Sequence, residues 1–109
     1  MNPEKAPGVE PKPNKIEISE DDKEVVGEEL RFIGVVIDSL EKGDGEYAYA
    51  DTGDSMETID SMIGDEPAYK ETLEGRKAAS AKCMRGDEDE KREGRGEIRN
   101  WVGEVEGLL

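Results

Sequence analysis

The sequence predicts an all-α fold, a small bundle of three to four amphipathic helices with a Pro-rich extended N-terminal arm. Three observations lead there. Apolar residues recur at helical spacing in several separate stretches. Glycine and proline punctuate the chain between those stretches. Only 33% of the 109 residues are hydrophobic and 40% are charged, which excludes a large core. Short helices packed face to face are the economical way to bury so little apolar surface against the entropy of ordering the chain. The length suits one domain, expected over residues 16–109, preceded by a flexible arm over 1–15.

The arm is marked by Pro3, Pro7, Pro11 and Pro13, a density that disfavours helix and sheet and favours extended backbone. Ile16 and Ile18 alternate with polar residues and predict a very short extended lead into the first helix. That helix is expected to start near Ser19, with Asp22 three residues on in a capping-box-like arrangement. Glu20, Asp21, Asp22 and Glu24 suit the positive end of its dipole. Val26, Leu30, Ile33, Ile37 and Leu40 are spaced four, three, four and three, a heptad-like seam widened by Val25, Phe32 and Val36. Gly27 and Gly34 lie beside the seam. Each lowers helix propensity by about 1 kcal/mol, so close approach of a neighbouring backbone is the expected reason for them. Lys42-Gly43 reads as the stop.

A linker, GDGEYAYADTGD, follows. Its Tyr47 and Tyr49 pin the loop to the core or offer a binding surface. A second helix is expected over Asp54–Ile63, burying Met56, Ile59, Met62 and Ile63 and ending at Gly64. A third is expected from Asp65 as N-cap with Pro67 in the first turn. Tyr69, Leu73 and Arg76 or Lys77 continue its period. Ala78, Ala79, Ala81 and Cys83 are small residues suited to close helix packing, and Cys83 reads as a core residue rather than a nucleophile. Residues 85–97 hold the i,i+4 pairs Asp87–Lys91 and Glu88–Arg92. They also hold Gly86, Gly94 and Gly96, and a solvated hinge or frayed turn is expected. A last helix covers EIRNWVGEVEGLL, with Ile98, Trp101, Val102, Val105, Leu108 and Leu109 on one face. Trp101, the single tryptophan, is a core anchor or an interface anchor.

The net charge of −14 is segregated. Residues 17–66 hold seventeen acids and three bases, whereas residues 67–109 hold ten acids and nine bases. The whole excess lies in the acidic half. Such a block destabilises itself by repulsion, and it either serves solubility or meets a basic surface.

Several classes are disfavoured by composition. With no histidine and one cysteine, a Cys–His pair, a zinc finger, a His base and an internal disulfide are all excluded. No window satisfies the EF-hand pattern, so neither metal nor cofactor is expected. Carboxylates are plentiful but none is set apart as an acid–base pair, so no enzymatic activity is expected. Direct nucleic-acid binding needs unopposed Lys and Arg, which are not present. No apolar run nears the ~20 residues that span a bilayer, and no secretory leader is read, so the cytoplasm is expected, or the host cytoplasm if the gene is viral.

The leading expectation is a non-enzymatic acidic binding protein that engages a basic, nucleic-acid-binding partner protein. Its contacts would be Glu20, Asp21, Asp22, Glu24, Glu28, Glu29, Asp38, Glu41, Asp51, Asp54, Glu57 and Asp60. In size, charge and helical content the chain is similar to small acidic inhibitors of restriction or CRISPR machinery carried by mobile elements. That similarity is of character and rests on no motif. One alternative is a structural or assembly protein, a homodimer or larger helical oligomer built through the seam of Val26, Leu30, Ile33, Ile37 and Leu40 together with Trp101. Another is an antitoxin or chaperone-like partner whose arm folds onto its target.

Overall fold

A computed structural model describes residues 16–109. The Pro-rich arm expected over 1–15 lies outside the described residues. Every regular element among them is helical: α1 (Glu20–Lys42), a 3₁₀ turn (Tyr49–Asp51), α2 (Thr52–Ile63), a one-turn α3 (Pro67–Lys70), α4 (Leu73–Arg85) and α5 (Glu88–Leu108).

The first helix starts and stops where the sequence places its signals. Ser19 is the N-cap, and its hydroxyl accepts from the Asp22 N–H at 3.1 Å. Gly43 closes the far end at φ 70°, in the left-handed region that glycine enters without penalty, and its N–H reaches the Leu40 and Ser39 carbonyls. Val26, Leu30, Ile33, Val36 and Ile37 are all fully buried. They pack on α2, which returns along α1 after a short loop, and on α5. Ahead of the helix, Ile16 is buried and its N–H donates to the Leu108 carbonyl at 2.9 Å. The extended lead is thereby stitched to the end of α5.

Five expectations need correction. The glycines of α1 are not points of close approach: a Cβ at Gly27 or Gly34 would meet nothing within 4 Å. The second helix begins at Thr52, earlier than Asp54, because the 3₁₀ turn feeds straight into it and the Thr52 hydroxyl donates to the Tyr49 carbonyl at 2.8 Å. Glu66, not Asp65, holds the extended N-cap position before Pro67, and the third helix breaks after Lys70. The break forms because Thr72 turns both its N–H and its hydroxyl onto the Tyr69 carbonyl.

The largest correction concerns residues 85–97. The chain turns sharply at Gly86 and is helical from Glu88 onward. Asp87 and Glu90 form a reciprocal capping box, each side chain accepting from the other's N–H at 2.9 and 3.0 Å. Gly94 is where α5 meets α4. A Cβ there would lie 2.8 Å from the Ala79 carbonyl oxygen and 3.0 Å from Cys83 Sγ. The small residues of α4 and this glycine together set the close packing of the hairpin. The expected i,i+4 pairs are replaced. Arg92 takes Asp89 at 3.2 Å, and Lys82 of α4 takes Glu97 at 2.9 Å and Glu93 at 3.4 Å.

Candidate functional site

The carboxylates of the acidic half separate into two groups by what the fold does with them. One group is consumed internally. Asp60 sits on the flank of α2, where Arg76 of α4 donates to both its oxygens at 2.9 and 3.1 Å. The Tyr69 hydroxyl donates to the same carboxylate. Arg76 in turn lies 5.2 Å above the Trp101 ring, and the indole N–H donates to Thr72 Oγ1 at 2.9 Å. Asp60, Tyr69, Arg76, Thr72 and Trp101 thus form one clamp joining α2, α3, α4 and α5. Burial alone would raise the Asp60 pKa, but hydrogen bonds from Arg76 and Tyr69 outweigh it and hold the carboxyl below its ordinary value. Burial, helped by the bond to Asp60, keeps the Tyr69 phenol protonated.

Other acids are spent the same way. Glu41 takes Arg99 of α5 at 2.9 Å, and Asp38 lies between Arg99 at 3.5 Å and Lys42 at 3.2 Å. Asp51 accepts from the Ala48 N–H at 2.8 Å and shapes the 3₁₀ turn. Asp44, outside the expected contact set, is held by the Ser39 hydroxyl and the Glu46 N–H, which lower its pKa.

The second group faces outward, Glu29 only in part. Asp21, Asp22, Glu24, Glu28, Glu29, Asp54 and Glu57 form no ion pair with any described cation. Glu20 lies 3.7 Å from Lys23, but its side chain is 92% exposed, so screening leaves that pair little energy. Six of these acids crowd into residues 20–29, about 13 Å of helix rise. That linear density is of the order of the one charge per ~1.7 Å of duplex DNA. Beyond Glu29 the solvent face of α1 changes character, carrying Arg31, Val35 and Lys42 beside Asp38. The acidic face is therefore the first half of α1, with Asp54 and Glu57 of α2 as a separate exposed pair.

No family model, no curated protein and no solved structure matches the chain. The functional reading rests on this geometry.

The seam residues fall on the other side of the ledger. Val26, Leu30, Ile33 and Ile37 are fully buried, Leu40 is half-buried and Trp101 is 3% exposed, all within one chain. The tyrosines of the linker pin the loop. Tyr47 stands edge-on to Phe32 with ring centroids 5.5 Å apart, and the Tyr49 hydroxyl bonds Ser80 Oγ at 2.6 Å. Cys83 is buried, and that burial raises its thiol pKa, as suits a packing residue. Among the described residues no helix is long and apolar enough to cross a membrane.

Sequence reasoning does not find the Asp60 clamp. Asp60 stands in the same every-third-residue series as Asp54 and Glu57, and nothing local marks it as the one that Arg76 reaches from 16 residues away.

Proposed function

We propose that the protein is a non-enzymatic acidic binding protein that engages a basic, nucleic-acid-binding partner through the first half of α1. The observation that carries this reading is the segregation of negative charge, most of it unpaired among the described residues. Six carboxylates crowd two to three turns of α1, and the one ion pair they form among the described residues is the exposed contact of Glu20 with Lys23 at 3.7 Å. Holding like charges together disfavours the folded state, and a basic partner groove would offset that repulsion. Opposed fields would also speed encounter. An inhibitor that occupies a DNA- or RNA-binding groove fits this chemistry, and anti-restriction and anti-CRISPR action are examples of the type.

The competing reading, an oligomer assembled through the α1 seam, has less to build on. That seam is already covered by α2 and α5 of the same chain.

The test uses the full chain as bait in lysate of its native host at low salt, with elution along a salt gradient. The expected result is a nucleic-acid-binding protein released at moderate salt and displaced by added duplex DNA or RNA. The triple variant Asp21→Lys, Glu24→Lys, Glu28→Lys should keep its far-UV circular dichroism and lose that partner. Capture that survives the triple reversal, or self-association indifferent to salt, refutes the proposal.

A further inference from the structure

The core seam of α5 runs through Leu108, Val105, Val102, Trp101 and Ile98. Toward the helix start Gly94 continues the buried face, and the half-buried Arg95 and Lys91 flank it. Arg99 is level with Asp38 and Glu41 near the end of α1, and α5 packs on α4 as well as on α1. A groove of about 430 Å³ remains between them. Leu40, Tyr47 and Tyr49 form its apolar wall, and Arg95 and Lys91 face it.

Lys91 and Arg95 share this groove, whereas Arg31, Lys70, Lys77 and Arg85, which also hold no described carboxylate, lie outside it. Carboxylates outnumber bases by 29 to 15. Their neighbours Arg92, Arg99 and Lys82 all hold described carboxylates within 3.5 Å. Lys91 and Arg95 hold none among the described residues, although Glu88 also lines the groove. The Arg95 Nε is buried and is the one buried side-chain polar atom of the described residues without a hydrogen-bond partner. Burying a charged donor unsatisfied is unfavourable, and nothing among the described residues supplies its acceptor. Cys83, which also lines the groove, does not supply it, since its buried thiol stays protonated at neutral pH.

The geometry points to a binding site for a small oxyanion, a phosphate or carboxylate group on a compact apolar body, held by Arg95 and Lys91. The guanidinium presents its donors in a planar fork and Lys91 adds a point charge. Leu40 and the tyrosines take the apolar body. The overall charge of −14 and the Glu88 carboxylate restrict the ligand to a compact anion and exclude a polyanion. This site lies at the opposite end of α1 from the acidic face, and its fate is independent of the function proposed above.

The experiment is a titration of the full chain followed by NMR of the arginine Nε–H signals, at ionic strength held constant with sodium chloride. The probes are inorganic phosphate, phenyl phosphate and benzoate. Saturable movement of the Arg95 signal is expected, with Arg92 and Arg99 unmoved. Phenyl phosphate should bind more tightly than inorganic phosphate, and its comparison with benzoate identifies the headgroup. Lys91→Gln should weaken binding about tenfold. Arg95→Met, which makes that flank apolar, should abolish the response while raising the melting temperature of the free protein. Arginine signals that drift together without saturation, or an Arg95→Met variant that melts lower, would overturn the assignment.

Discussion

Replacing Thr72 with valine isolates one polar atom at the centre of the clamp. Thr72 is 5% exposed and Trp101 is 3% exposed. Its hydroxyl accepts from the indole N–H at 2.9 Å and donates to the Tyr69 carbonyl at 2.7 Å. Valine keeps the shape and removes both bonds. The Tyr69 carbonyl still accepts the backbone N–H of residue 72 at 2.9 Å, so it is not orphaned. The indole N–H is orphaned, and an unsatisfied buried donor costs about 1–3 kcal/mol. We take ~2 kcal/mol, which for a domain of this size lowers the melting temperature by roughly 8–16 °C. Urea unfolding followed in parallel by Trp101 fluorescence and far-UV circular dichroism measures it, because Trp101 is the only tryptophan. The two transitions should coincide and the m-value should not change. Thr72→Ser, which keeps the hydroxyl, should cost well under half as much. A Thr72→Val variant within ~0.5 kcal/mol of the parent would refute the clamp as a stabilising unit.

Asp60→Asn removes the charge from the same clamp. The Asp60 side chain is 39% exposed, so the expected loss is modest, about 1 kcal/mol at neutral pH. The folded-state pKa of Asp60 is lowered, so its contribution is present above the unfolded value of about 4 and fades as pH falls through the folded value. Parent and variant should therefore differ at pH 7 and converge as the pH falls below the unfolded value; a gap that persists in strong acid speaks against the charge as its source. The glycines offer a contrast of sign. Gly27→Ala and Gly34→Ala meet open space and should each stabilise by about 1 kcal/mol. Gly94→Ala should destabilise by roughly 1–3 kcal/mol, because its Cβ would press on the Ala79 carbonyl and Cys83. Thermal unfolding of the three variants checks both signs, and a stabilising Gly94→Ala would contradict the close packing of α4 on α5.

What the sequence by itself determined is what local rules control. The stripe from Val26 to Ile37 repeats at helical spacing, and Ser19 and Gly43 satisfy the ends of that helix through neighbours three or four residues away, so α1 is legible without a structure. The segregation of charge is legible for the same reason, being a property of composition along the chain. Residues 87–97 carry a local signal that the expectation of a hinge overlooks, the Asp87–Glu90 box, which outweighs the glycines. Once that helix is extended, the place of Arg95 and Lys91 beside the buried face of α5 follows from spacing alone.

The tertiary structure decided which carboxylates are spent. Asp60 and Asp54 look alike in the sequence, yet one is bound by an arginine 16 residues away and the other faces solvent. Asp38 and Glu41 look like members of the acidic face until α5 brings Arg99 beside them. Charge pairing across helices depends on which faces pack and in what register. That outcome is fixed by the whole core at once and leaves no local trace.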